Sequence, residues 1–145
     1  MKPTRPRDLA VVMFVAGVAA YLLVRGWYQD LPAFPRTAPL TLLVLAIVEG
    51  QTAGITRRRL AGRPGTRPIM PLTVARLAAL AKASSLAGSA LAGAWAGALI
   101  YPAARIGQIG TAGRDVVTAA LGFGAALTLV LAALALERVC RVRKK

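Results

Sequence analysis

Four long apolar stretches separated by short polar ones set the plan of this chain. They run over approximately residues 8–27, 39–55, 74–101 and 116–136. A bilayer core about 30 Å thick is crossed by a helix of about 20 apolar residues, with a range of about 17–25. The fourth stretch has that length. The first two reach it only with flanking residues such as Trp27 and Pro39, and the third is long enough to tilt. Lipid offers no partner to a bare backbone, so each stretch is predicted to be a helix. No connection is large enough to fold alone. Residues 1–145 therefore read as one all-α domain, a polytopic four-transmembrane-helix bundle with a basic loop at 56–73.

Charge sharpens this picture and orients it. The chain is 57% hydrophobic yet carries a formal net charge of +14. Nucleic-acid binders spread basic residues over a solvated face. Here the basic residues gather at the ends of apolar stretches, so no nucleic-acid partner is expected. Lys2, Arg5 and Arg7 precede the first stretch, and Arg57, Arg58, Arg59, Arg63 and Arg67 lie between the second and third. Arg138, Arg141, Arg143, Lys144 and Lys145 follow the fourth, while the other two connections hold only Arg25, Arg36, Arg105 and Arg114. Cytoplasmic segments carry the excess of Lys and Arg, so both termini and the middle loop are predicted to be cytoplasmic in the inner (plasma) membrane. Tyr21, Trp27, Tyr28, Phe34, Trp95 and Tyr101 fall at the opposite ends, where aromatic rings favour the interface. Val18-Ala19-Ala20 is similar to a signal-peptidase site, but the first stretch is read as an uncleaved span.

Candidate chemistry is sparse. Cys140 is the single cysteine and there is no histidine. An intramolecular disulfide is ruled out, and neither a metal site nor a cofactor is expected. With five acids in all, no nucleophile or acid/base pair emerges, so no enzyme is expected.

Two charges stand inside the apolar stretches: Glu49 in the second and Lys82 in the third. Charges at membrane depth are costly and usually have a partner or a job. Glu49 is about 10 Å and Lys82 about 13 Å from the inner ends of their spans, at 1.5 Å per residue. Consecutive spans tend to be neighbours, so an intramembrane Glu49–Lys82 pair is expected. Arg76 is shallower and reads as a snorkelling side chain. The pair is either a lock between helices, costing about 3–5 kcal/mol to break on one side, or a proton- or ion-carrying site.

From Lys82, the positions Ser85, Ser89, Gly93 and Ala96 form a stripe of small or polar residues at helical spacing. Leu77, Leu80, Leu91 and Trp95 lie on the opposite side and are expected to face lipid. With Gly97 the stripe contains a G-x-x-x-G, which packs helices within one chain or between two copies. Arg57, Arg58, Arg59, Arg63 and Arg67 serve either as a topology signal or as contacts to anionic lipid headgroups.

The run Arg63 to Pro68, then Pro71-Leu72-Thr73-Val74-Ala75-Arg76, Ala79 to Ser85 and Ala92 to Gly97 resembles an actinobacterial family of four-span membrane proteins. That family is catalogued as domain of unknown function 3180. The resemblance covers most of the chain, is most specific at Ala81-Lys82-Ala83-Ser84-Ser85, and implies an inner-membrane protein with no assigned activity. The expected role is a non-enzymatic scaffold or modulator of a membrane partner complex. Its partners would be the bilayer and its anionic lipids, with a membrane protein or a second copy. The alternative is a small transporter or channel component using Glu49 and Lys82.

Overall fold

The computed structural model describes residues 5–28, 30, 37–62 and 70–141. Among them it contains four helices: α1 (Pro6–Trp27), α2 (Thr37–Leu60), α3 (Pro71–Ala103) and α4 (Ala112–Arg141). All four are long and apolar enough to cross a membrane. Of the residues singled out above, Lys2, Phe34, Arg36, Arg63, Arg67, Arg143, Lys144 and Lys145 lie outside the described residues.

Local chemistry sets the helix ends. Pro6 and Pro71 start α1 and α3, where a missing N–H costs nothing. Asp8 in the first turn of α1 and Arg57, Arg58 and Arg59 in the last turn of α2 oppose the helix dipoles. Beyond α2, Gly62 takes φ 63°, a left-handed conformation that glycine adopts without a Cβ penalty. Pro102 sits in the last turn of α3, and Ala104 closes it by donating its N–H to the Ile100 carbonyl. The helices overrun the apolar stretches at their basic ends, because arginine is itself a good helix former. The basic segment expected as a loop from residue 56 therefore begins as the last turn of α2, with Arg57, Arg58 and Arg59 on the helix.

Packing departs from chain order. α3 packs against both α1 and α4, and α2 packs along α4. The order in space is α1, α3, α4, α2, so the expected neighbourhood of α2 and α3 is not the one found. The reason lies in which faces let backbones meet. α1 and α3 run parallel. A Cβ built on Gly93 would strike the Met13 carbonyl, one on Gly97 would strike the Gly17 carbonyl, and one on Gly17 would stand 3.2 Å from the Gly93 carbonyl oxygen. The G-x-x-x-G is thus occupied within the chain.

α3 and α4 run antiparallel. A Cβ on Gly88 would lie 2.9 Å from a Val130 methyl, and one on Gly122 would enter the Trp95 indole. Trp95 therefore packs on α4 rather than facing lipid, while Leu80 and Leu91 are exposed as expected. Ser85 and Ser89 are fully buried. On α2 the buried positions Ala46, Glu49, Ala53 and Thr56 form one face, and Ala53, Ala81 and Leu136 meet in one core cluster. Seams of this kind rest on dispersion between closely approaching backbones.

Gly97→Val should loosen the α1–α3 seam, since overpacking costs about 1–3 kcal/mol. Gly124→Ala, where nothing lies within 4 Å, should be neutral or gain up to about 1 kcal/mol of helix propensity. Thermal unfolding of both variants in detergent checks the opposed signs.

Candidate functional site

The cluster of Ala53, Ala81 and Leu136 fixes one level of the molecule. Tyr101 lies about 30 Å further along α3 at about 1.5 Å per residue, the thickness of a bilayer core. Lys82 follows Ala81 directly and is half-buried. Glu49 stands one turn from Ala53, about 6 Å toward the middle. It is 4% exposed, and its Oε2 is enclosed with no hydrogen-bond partner. The two charges are close in level, yet the expected ion pair is not made. Glu49 belongs to the face of α2 that α4 covers, whereas Lys82 belongs to α3.

The hydroxyls of Thr52, Ser85, Ser89, Thr118 and Thr128 form no track leading to Glu49. Thr52 donates to the Val48 carbonyl at 2.8 Å and Ser85 to Lys82 at 2.9 Å. Ser89 donates to the Ser85 carbonyl at 2.7 Å, Thr118 to Arg114 at 3.1 Å and Thr128 to Ala125 at 2.7 Å. Each proton is spent on the carbonyl three or four residues back in the same helix.

Cationic side chains collect at the Ala53–Ala81–Leu136 end. Arg5, Arg7, Arg57, Arg58, Arg59, Arg76 and Arg138 are all exposed there. The expected headgroup contacts Arg57, Arg58 and Arg59 thus point to solvent or to a lipid surface.

The opposite end holds a polar clamp that the sequence reading passed over. The Tyr28 hydroxyl donates to Asp115 Oδ2 at 2.8 Å. The Tyr28 and Tyr101 rings meet at 5.2 Å with a tilt of 53°, and the Arg105 guanidinium sits 5.0 Å over the Tyr101 ring. Asp115 is 5% exposed, and its Oδ1 has no hydrogen-bond partner. It lies in the first turn of α4, where the helix dipole favours an anion. Burial, and then the hydrogen bond to Asp115, push the Tyr28 phenol above its usual value. An acid just before an apolar stretch and a tyrosine just after another were the available signals. Only the fold joins them.

Residues 9–144 match the family described as protein of unknown function, DUF3180. The chain belongs to that family. No curated protein and no solved structure matches it. The match takes in almost all of this DUF3180 chain, so the isolated carboxyl, the polar clamp and the cations Arg57, Arg58, Arg59, Arg76 and Arg138 fall within the family region, while Arg5 and Arg7 precede it.

Two expectations follow for this DUF3180 protein. In a double-mutant cycle of Glu49→Met and Lys82→Met, the coupling energy from thermal or denaturant unfolding should stay below about 0.5 kcal/mol. Glu49→Met alone should be at least as stable as the parent, because it removes an enclosed carboxyl oxygen that has no partner.

Tyr28→Phe should cost about 1–3 kcal/mol, because it leaves a buried Asp115 oxygen without its donor. The folded-state pKa of Tyr28 is raised. The clamp's contribution is therefore complete below the ordinary tyrosine value of about 10 and is lost as pH climbs through the higher folded value. A melting profile from pH 8 to 11 (set around that ordinary value of about 10) should fall for the parent and lack this component in Tyr28→Phe.

Proposed function

We propose that this protein is a non-catalytic integral membrane protein of the inner (plasma) membrane, with both termini cytoplasmic. In this reading it scaffolds or modulates a membrane partner complex. One contrast carries the reading: the hydroxyls of Thr52, Ser85, Ser89, Thr118 and Thr128 bond back to their own helices, while the cations at one end are exposed. Four apolar helices with a cationic end and an aromatic end fit a bilayer whose cytoplasmic side meets the arginines.

The small-residue stripe of α3 is already covered by α1 and α4, so the partner meets other surfaces. The exposed apolar sides of α1 and α2 are available for this, including Val11, Leu22, Leu43 and Ile47. Arg57, Arg58 and Arg59 lie beside the α2 surface. Basic residues near a membrane surface contribute about 1 kcal/mol each with anionic lipids, which holds such a partner surface at a defined depth.

A second reading, a small transporter or channel component, is favoured by one observation. Glu49 is buried with an oxygen that no protein group satisfies, and such residues mark ion and proton paths in membrane proteins.

Two measurements separate the readings. On native electrophoresis of gently solubilised membranes, the wild type should migrate in an assembly well above its own 15.1 kDa. The triple variant Arg57→Glu, Arg58→Glu, Arg59→Glu should shift to the free form while keeping its melting temperature. In proteoliposomes under a pH gradient, the wild type should show no proton flux above empty vesicles. Flux that disappears in Glu49→Gln would replace the scaffold reading with the transport reading.

A further inference from the structure

A groove of about 460 Å³ runs between α1 and α3. Ala10, Phe14, Val18 and Tyr21 line it from α1, and Ala96 and Ile100 from α3. Its surface is almost wholly apolar. It lies along the line where Gly17, Gly93 and Gly97 bring the two backbones into contact. From Ala10 to Tyr21 the groove measures about 16 Å at 1.5 Å per residue. That is the depth of one leaflet, half of a core about 30 Å thick.

The two ends of the groove differ. Ile100 adjoins Tyr101, so one end opens at the aromatic level marked by Tyr28 and Tyr101. There the α1 stripe Phe14, Val18, Tyr21 continues at the same helical spacing to Arg25, an exposed side chain in the last turn of α1. Just beyond α3 the corresponding cation, Arg105, is already engaged over the Tyr101 ring. The other end, at Ala10, lies about one turn from the start of α1, near the exposed Arg7, and meets α3 at Gly93. An apolar slot one leaflet deep, with a cation at its interfacial mouth, has the shape and charge of half a phospholipid.

We propose that the α1–α3 groove binds one acyl chain of an anionic phospholipid, with Arg25 holding its phosphate at the aromatic end. The guanidinium matches a phosphate through charge-assisted hydrogen bonds. This site lies at the end opposite Arg57, Arg58 and Arg59, so it is separate from surface attraction at the cationic end. The inference rests on the membrane placement proposed above.

Native mass spectrometry of detergent-purified protein mixed with phosphatidylglycerol or phosphatidylcholine tests it. The wild type should retain one phosphatidylglycerol at least about tenfold over phosphatidylcholine, a difference of about 1.4 kcal/mol. Arg25→Gln should abolish that preference, and Arg25→Lys should keep part of it. Val18→Phe fills the groove from an exposed position and should lose both lipids, while Val117→Phe, on the exposed face of α4, should retain them. Melting temperatures near the parent's confirm that Val18→Phe is folded. Equal retention of the two lipids by the wild type, or undiminished retention by Val18→Phe, overturns the proposal. Recovery of the chain in the soluble fraction without detergent overturns it together with the membrane placement, and this is a distinguishable failure.

Discussion

Between α1 and α3 the backbones approach so closely that no Cβ fits at Gly93 or Gly97. In a hydrocarbon solvent the hydrophobic effect does not draw apolar helices together, so association depends on such close fits. The contact consumes the small-residue stripe on that side of α3. The α4 side is closed by Gly88, Ser85, Ala81 and the Trp95–Gly122 contact. α3 thereby becomes the helix with two neighbours, α2 is left to pair with α4, and the positions of both interior charges follow. Glu49 is enclosed because α2 turns its Ala46–Ala53 face to α4. Lys82 stays half-exposed because α1 and α4 occupy the stripe beyond it.

How much of this could be read from the chain follows from the range of the interactions. Helix positions were legible, because apolar length and flanking arginines are local properties. The segment around Arg57 was misjudged as a loop, since polarity was taken for irregularity although arginine continues a helix without cost. The stripe through Ser85, Ser89 and Gly93 was legible as a packing face, but the partner of each face was not. Adjacency in sequence pointed to α2 and α3, whereas the fit of small faces selected α1 with α3 and α2 with α4. The bulk of Trp95 suggests a lipid-facing side chain, and Gly122 on α4 provides the flat space that reverses this. The Tyr28–Asp115 clamp joins residues 87 positions apart, and neither residue announces the other.

Polarity is divided between the two ends of the molecule. One end gathers exposed guanidinium groups with few acids among them. The other holds a tyrosine–carboxylate bond, a stacked pair of rings and a guanidinium laid on one of them. The cationic end presents charge outward, and at the aromatic end Tyr28, Asp115, Tyr101 and Arg105 engage one another while Arg25 stays exposed. Between them Thr52, Ser85, Ser89, Thr118 and Thr128 bond back to their own helices, whereas Glu49 Oε2 has no hydrogen-bond partner.

The spatial order α1, α3, α4, α2 also bears on how the protein is made. The first two helices leave the ribosome before either of their packing partners exists. Gly17 has no Gly93 to rest against, and the carboxyl of Glu49 has no α4 to cover it. The first half of the chain must therefore persist as two separate helices, open along the faces that will later be sealed. The second half then arrives as a hairpin whose two sides collect one waiting helix each, so biogenesis of this protein is completed from the C-terminal half outward.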